Sequence, residues 1–319
     1  MKGALRAAFG VALLVAAQHA GAAEKIEAGF IGAVSAPSWP YLIAENKGYF
    51  ASAGIKFEIA FAPNAPGVMQ QLAAGSFDVA STGAAEPMLA FGKGAPVAVL
   101  RVMGSSAPYE LIGKKGITGL ASLKGETVIV GGPTDITGIY WDRMARAAGL
   151  GKDDYDLIFG GSTGARFAAL KAGSADAAML NPPINFHAKE AGYVLIASAM
   201  DYAGDLIFGT LSVNRAWAAA HAETVRRLND VLTQSTSWFE DPANHDEAIR
   251  MMVAATHSTA EDAEASYAFF RRISFFETTG KVSLARLQNL IDAQKRLGQV
   301  PPTLTAKDVV MTGITQVSP

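Results

Sequence analysis

The residues best suited to chemistry stand in a glycine-rich turn. Residues 160–164 read GGSTG, the Gly-x-Ser-x-Gly spacing of a nucleophile elbow, between an apolar strand-like run and a helical pattern. In that motif a serine on a strand-to-helix turn attacks an acyl group while a histidine takes its proton. Acidic and basic partners follow downstream, namely Asp176 or Asp205 and His187 or His221. A secreted serine esterase that uses Ser162 is therefore one hypothesis.

Other catalytic chemistries find little support. The 319 residues contain no cysteine, which excludes thiolate catalysis, disulfides and Cys-ligated zinc. The histidines lack the HExxH or HxH spacing of a zinc site, and the acidic turn formed by Asp153, Asp154 and Asp156 lacks the EF-hand pattern. We expect no metal and no cofactor. With 27 Lys+Arg against 29 Asp+Glu the net charge is −2, so no basic surface predicts nucleic-acid binding.

Six loops, each of which follows a short apolar strand, are candidates for ligand binding rather than catalysis. The loops are rich in hydroxyls, amides, glycine and proline. Such side chains cap helix N-termini, whose free N–H groups and positive dipole ends also bind polar ligand groups. The two roles are compatible, because a capped terminus retains other N–H groups. The candidate ligand contacts are Ser35, Ser38, Trp39, Asn64, Ser81, Thr82, Gly83, Thr134, Asp135, Thr137, Ser162, Thr163 and Asn181.

Three residues in or near these loops leave alternatives open. Trp39 is either a core residue or a cleft wall that stacks on an apolar or aromatic ligand. Asp135 is either a helix cap, which is the favoured interpretation, or a ligand contact. Arg166 is the only basic residue just inside a loop-facing helix, and we expect it to be a solvated residue of the first turn.

An internal repeat indicates the elements that must position these loops. Residues 72–80 (LAAGSFDVA) recur as residues 170–178 (LKAGSADAA), an offset of 98 residues. Each copy predicts three short apolar strands alternating with two helices, the pattern of a parallel sheet covered on both faces. Two such units in series predict two α/β lobes, with a cleft at the carboxyl ends of their strands. The repeat aligns residues 160–164 with residues 63–67, which lack serine, and this argues against the esterase.

The N-terminus has the pattern of a secretory signal peptide. Lys2 and Arg6 precede the apolar run 9–17, and small residues 20–22 form a cleavage signal. We assign residues 1–23 to this peptide. No cysteine is available for attachment of a lipid anchor. An exported protein without an anchor is retained only in an enclosed compartment, so we expect it in the periplasm.

The remaining chain divides into three predicted segments. Residues 24–104 form the first segment of lobe 1, and residues 105–204 form lobe 2. Residues 205–319 return to lobe 1 and add C-terminal helices, which have amphipathic spacing. Two crossings, near residues 104–110 and 201–209, would act as a hinge.

Three motifs resemble those of a known family. Residues 40–55 contain PYLIAENKGYF and then AGI, similar to the signature YxAxExGYFxxxGI. Residues 72–80 are similar to the motif aLaaGxxDva, and residues 120–128 (LASLKGETV) to the motif gItslaDLKGKtVgv. The chain thus resembles the nitrate/sulfonate/taurine/thiamine-pyrimidine type of ABC-transporter substrate-binding proteins.

The resemblance implies an α/β fold of the two-lobed periplasmic binding protein class (type II, venus flytrap) with a helical C-terminal part. We expect a monomer that captures a small-molecule ligand and delivers it to an ABC permease of the inner membrane. A small organic anion with an apolar or aromatic body fits the loops best, followed by a neutral heterocycle. Asn181 and Pro182 replace the Glu-Pro that the family often has. Fungal thiamine-pyrimidine synthases share the fold, but their Cys-rich motif cannot exist here.

Overall fold

The computed structural model describes residues 23–319. The strands are β1 (Glu24–Ile31), β2 (Ile55–Ala62), β3 (Val79–Gly83), β4 (Val97–Gly104), β5 (Glu110–Gly113), β6 (Thr127–Val130), β7 (Asp156–Phe159), β8 (Ala177–Leu180), β9 (Val194–Ser198), β10 (Gly209–Asn214), β11 (Val282–Ser283) and β12 (Val317–Ser318). The helices are α1 (Trp39–Asn46), α2 (Tyr49–Ser52), α3 (Ala65–Ala74), α4 (Ala85–Gly92), α5 (Ile136–Ala147), α6 (Thr163–Ala172), α7 (Ile184–Glu190), α8 (Ala199–Ala203), α9 (Arg215–Ala220), α10 (Ala222–Glu240), α11 (His245–Thr256), α12 (Ala260–Arg272), α13 (Leu284–Arg296) and α14 (Ala306–Val309). The predicted signal peptide lies outside the described residues, apart from residue 23. None of the helices from residue 23 onward is long and apolar enough to span a bilayer.

Two five-stranded sheets form the centres of two α/β lobes. The order is β2-β1-β3-β10-β4 in lobe 1 and β7-β6-β8-β5-β9 in lobe 2. The repeated strands run parallel, and β10 lies antiparallel between β3 and β4. β5 takes the equivalent antiparallel place between β8 and β9. Each antiparallel strand is thus the first strand after the chain changes lobe.

One arginine joins the two segments that connect the lobes. The first segment lies between β4 and β5, and the second lies between β9 and β10. Arg286 of α13 donates hydrogen bonds to the carbonyl oxygen of Ser105 in the first segment. It also donates to the carbonyls of Gly204 and Leu206 in the second, at 3.0 and 2.6 Å. Both crossings are therefore tied to the same side chain.

The C-terminal helices bury apolar surface on lobe 1 and continue the core towards lobe 2. Leu228 and Leu232 of α10 pack in one cluster with β1 and β10. A second cluster joins Met88 of α4, Ile139 of α5 and Leu287 of α13, so α13 packs with elements of both lobes. Burial of this kind is the main favourable term in holding the helices in place.

The lobes touch at two further places. His187 Nε2 on α7 lies 2.6 Å from Asp262 Oδ1 on α12. Near the end of α13, Gln299 Nε2 donates to the carbonyl oxygen of Pro133, 3.1 Å away, in the loop after β6. The conformation described here therefore has the two lobes in direct contact.

Candidate ligand site between the lobes

Three predicted contacts of lobe 1 stand where α1 and α3 begin. Asn64 caps α3, since its Oδ1 accepts the N–H of Gly67 at 2.9 Å. The N–H of Ser35 donates to Ser38 Oγ at 3.4 Å, and both serines precede α1. Ser35 is exposed and Ser38 is buried. Capping accounts for Asn64 without a ligand, and a capping box with Ser38 accounts for Ser35, which is exposed just after β1.

The end of β3 brings three more predicted contacts together. Tyr41 Oη donates to Ser81 Oγ at 3.2 Å, and Thr82 Oγ1 donates to the Gly83 carbonyl at 3.0 Å. A methyl group on Gly83 would lie 2.6 Å from Oε2 of Glu86. Glycine at this position therefore lets the glutamate of α4 approach the end of the strand.

In lobe 2, a hydrogen-bonded loop surrounds the start of α5. Asp135 Oδ1 accepts the N–H of Thr137 at 2.8 Å, and the hydroxyl of Thr137 also donates to it. Thr137 Oγ1 in turn accepts the N–H of Gly131 at 2.8 Å. This geometry matches the cap interpretation of Asp135 and gives Thr137 a role in shaping the loop. Thr134, half-buried, lies next to them.

Arg166 connects the other two loops of lobe 2. The prediction of a solvated side chain is wrong, because Arg166 is only 2% exposed. Its Nε donates to the Met179 carbonyl at 2.7 Å and its Nη2 donates to Thr163 Oγ1 at 2.9 Å. Thr163 Oγ1 donates onward to Asn181 Oδ1. The guanidinium thus brings Thr163 and Asn181 together at the end of β8.

Ser162 does not have the surroundings of a nucleophile. Its Oγ accepts the N–H of Ala165 at 3.3 Å, as the cap of α6. Its φ of −72° and ψ of 156° are those of relaxed extended backbone, not of a strained elbow. Within residues 23–319, no hydrogen bond joins Ser162 to a histidine, and His187 is paired with Asp262. The esterase hypothesis is not supported.

Trp39 lies in the core of lobe 1, where it cannot act as a cleft wall. It has no exposed surface, and its Nε1 donates to the Ala248 carbonyl at 2.9 Å. The rings of Phe239, Tyr267 and Phe270 surround it at centroid distances of 5.2, 6.0 and 6.3 Å. Helices α10, α11 and α12 supply this enclosure. We therefore remove Trp39 from the candidate ligand contacts.

Glu86, a carboxyl group outside the predicted set, lies in the first turn of α4, beside the end of β3. Its Oε2 is buried and has no hydrogen-bond partner among residues 23–319, although the residue as a whole keeps some exposure. Burial raises the pKa of Glu86 to about 8, and the negative charge of Asp135 in the other lobe adds to the shift. A desolvated carboxyl without a partner is unfavourable, and such groups are concentrated at functional sites.

Two tyrosines lie close to these acids. Tyr109, just before β5, packs with Tyr140 of α5 at a centroid distance of 6.1 Å, and the Arg166 guanidinium lies 5.7 Å from the Tyr109 ring. Burial raises the pKa of Tyr109 to about 12, and burial also raises the pKa of Tyr140 well above its usual value. The Tyr140 hydroxyl is buried and has no hydrogen-bond partner in the described part of the chain. The site therefore combines one acid from each lobe, Glu86 and Asp135, with two neutral phenols.

Two α/β lobes with polar groups at the facing ends of their strands define the periplasmic binding protein class. Residues 36–262 match the family described as NMT1/THI5 like. The chain belongs to this family. No curated protein matches the sequence.

Solved structures share the fold over nearly their whole length. The alkanesulfonate-binding protein SsuA from Xanthomonas axonopodis pv. citri, bound to MOPS, is 18% identical with a TM-score of 0.73, and the match covers 90% of this chain and 98% of that one. The periplasmic aliphatic sulphonate binding protein SsuA from Escherichia coli is 17% identical with a TM-score of 0.74, covering 91% and 98%. The periplasmic nitrate-binding protein NrtA from Synechocystis PCC 6803 is 16% identical with a TM-score of 0.68, covering 89% and 84%. The predicted fold class and the family resemblance are confirmed.

Proposed function

We propose that this protein is the solute-binding component of an ABC-type importer. It acts in the periplasm as a monomer, closes on a small molecule between its lobes and delivers it to an inner-membrane permease. Membership of the NMT1/THI5-like family supports this role, as does the fold shared with SsuA and NrtA, whose names state that they bind sulfonates and nitrate. The hydrogen-bonded cap at Ser162 supports a binding role over hydrolysis.

The observation that carries the ligand assignment is the unpartnered Oε2 of Glu86. Oε2 can accept a hydrogen bond, and an ionised carboxylate can only accept them, so a donor on the ligand would complete Oε2 and favour ionisation of Glu86 when the ligand binds. Asp135 places a second carboxyl group near the same point. We propose a ligand with a protonated or N–H-bearing nitrogen on a flat apolar body, which packs against Tyr109 and Tyr140.

This class differs from the organic anion that the loop composition favours. A protonated Glu86 could donate one hydrogen bond to an anion, but Asp135 would repel that anion. Arg166 does not offset this repulsion, because its guanidinium is engaged with Met179, Gly161 and Thr163. A metal ion is the weaker alternative, since no group of three or more potential ligands occurs in the described part of the chain.

Calorimetric titration at pH 7 with aminopyrimidines, arylmethylamines, arylsulfonates and arylcarboxylates tests the assignment. We expect the nitrogen compounds to bind and Glu86→Gln to weaken them about tenfold to a hundredfold, the value of one hydrogen bond to a charged group. Glu45→Gln, at an exposed position on α1, is the matched control and should leave affinity unchanged.

Proton exchange during the titration distinguishes the two nitrogen classes. A cation should ionise Glu86 and release up to one proton, whereas a neutral N–H compound should release none. The number of protons is obtained by repeating the titration in buffers of different ionisation enthalpy. If sulfonates or carboxylates bind more tightly than every nitrogen compound and Glu86→Gln leaves them unchanged, the ligand assignment is wrong. If no small molecule binds, the solute-binding role itself fails.

A further inference from the structure

One polar side chain interrupts the buried face of α13. The residues of this face have helical spacing and no exposed surface, and they are Leu287, Leu290, Ile291 and Gln294. Gln294 Nε2 donates to the carbonyl oxygen of Ala85 at 2.9 Å, whereas its Oε1 is buried and has no hydrogen-bond partner in the described part of the chain. An unsatisfied buried acceptor is unfavourable, so an apolar side chain at this position would suit the core better. The glutamine therefore calls for an explanation other than stability.

The hydrogen bond from Gln294 fixes the start of α4. Ala85 is the first residue of that helix, and Glu86, the buried carboxyl group of the cleft, is the second. Within an α-helix the carbonyl of the first residue already accepts the N–H four residues later, so the bond from Gln294 is an additional one. It ties the backbone next to Glu86 to α13 at a point that helix formation alone does not determine.

A second glutamine, just after the end of α13, makes the corresponding contact with lobe 2. Gln299 Nε2 donates to the carbonyl oxygen of Pro133 at 3.1 Å, two residues before Asp135. Its Oε1 is also buried without a hydrogen-bond partner among residues 23–319. Each carboxamide thus uses its donor on a backbone carbonyl beside the cleft, while its acceptor is unused.

The end of α13 holds the two glutamines at a fixed spacing. The N–H of Gln299 donates to the carbonyl oxygen of Gln294 at 2.9 Å, and the N–H of Gly298 donates to that of Lys295 at 2.9 Å. With Gly298 at a φ of +67°, these two bonds form a Schellman motif, in which the residues at the positions of the two glutamines often make an apolar contact. Here both are polar, and their side chains reach different lobes.

We propose that Gln294 and Gln299 are positioning residues for solute binding. They hold the start of α4 and the loop before α5 at one separation, so that Glu86 and Asp135 meet the solute together. The proposal rests on the solute-binding function of the cleft, and neither glutamine needs to touch the solute. Removing either donor should weaken binding about twofold to tenfold, the value of one hydrogen bond between neutral groups.

Calorimetry and urea unfolding separate this role from a structural one. Gln294→Met and Gln299→Met keep the length of the side chain and remove the carboxamide, and Gln234→Met, at an exposed position on α10, is the matched control. The probes are cytosine, benzylamine and benzenesulfonate at pH 7, and we expect the first two variants to weaken whichever of them binds. Gln294→Met should be at least as stable as the unmodified protein, because methionine fills a similar volume and Ala85 keeps its helical hydrogen bond. A glutamine with a structural role alone would show the reverse, lower stability with unchanged affinity.

Interlobe distances test the same proposal without a solute. The chain contains no cysteine, so spin labels can be attached specifically at Gln70→Cys on α3 and Ala168→Cys on α6, exposed positions that the repeat makes equivalent. In the ligand-free protein, pulsed electron paramagnetic resonance should show a population of longer distances in Gln299→Met that is about twofold to tenfold larger than in the unmodified protein. Gln299→Lys keeps an N–H donor for the Pro133 carbonyl and should restore the original distribution.

Two results would overturn the proposal. The first is that Gln294→Met and Gln299→Met bind the probe as tightly as Gln234→Met does. The second is that Gln299→Met and Gln234→Met give the same distance distribution. If no probe binds the unmodified protein, that result counts against the proposed function, and the distance distributions still decide whether Gln299 holds the loop of lobe 2.

Discussion

Replacing Glu86 with glutamine removes a carboxyl group and keeps the size of the side chain. The native pKa of Glu86 is about 8, whereas the ordinary value is 4.5. Between these values the folded protein holds a proton that the unfolded chain has lost. The free energy of unfolding should therefore fall as pH rises through this window, since deprotonation leaves a buried, uncompensated charge.

The size of the effect follows from the two pKa values. With 4.5 for the unfolded chain and about 8 for the folded protein, this carboxyl lowers stability by about 3 kcal/mol between pH 5.5 and pH 8.5. Glu86→Gln does not titrate, so the difference between the two proteins should change by that amount over the interval. Other titrating groups are common to both proteins and cancel in the comparison.

Urea unfolding at pH 5.5, 6.5, 7.5 and 8.5 measures this difference for the protein without added ligand. We expect Glu86→Gln to gain stability relative to the unmodified protein at each step, with most of the gain complete by pH 8.5. Glu45→Gln should follow the unmodified protein throughout. If the curves for Glu86→Gln and the unmodified protein run parallel, to within about 1 kcal/mol, the carboxyl is not desolvated and the ligand argument built on it fails.

Two further predictions concern the core and the contact between lobes. Trp39→Ala should lower the free energy of unfolding by about 3–5 kcal/mol in urea titrations, because it leaves a cavity among the C-terminal helices. The folded fraction should bind solute normally. A loss of affinity without a loss of stability would instead place Trp39 in the cleft. Asp262→Asn removes the carboxylate that faces His187 on the other lobe, so small-angle scattering should show a larger radius of gyration than that of the unmodified protein. An unchanged radius would mean that this pair does not hold the lobes together.

The repeat predicted the parallel part of both sheets because its signals are local. Apolar strands and helix-ending glycines recur in both copies, and Gly75 and Gly173 end α3 and α6 with nearly equal φ values of 78° and 73°. The antiparallel placement of β5 and β10 was not predictable in this way. Their direction depends on the point at which the chain returns to a sheet, and an apolar run of four to six residues does not encode that point.

The site was less predictable because burial by distant segments decides it. Glu86 in the first turn of a helix has the sequence pattern of a solvated acid that favours the helix dipole. Its surroundings include the charge of Asp135 in the other lobe and a core cluster that α4 shares with α13, about 200 residues later in the chain. Arg166 can be buried because backbone carbonyl groups accept its N–H donors. Trp39 can be buried because the Ala248 carbonyl accepts the hydrogen bond from its Nε1. The residues that capping rules could identify, Asn64 and Asp135, are those with partners inside their own loop.

The hydrogen bonds of Arg286 restrict the kind of motion that the two lobes can make. One guanidinium holds carbonyl groups of both connecting segments, so a rotation of one segment carries the other with it. Bending about an axis through this side chain preserves all three bonds, whereas a relative twist of the lobes would stretch at least one of them. Opening and closing should therefore be a rotation about one hinge axis. Groups that meet across the cleft should then return to the same relative positions each time the lobes close.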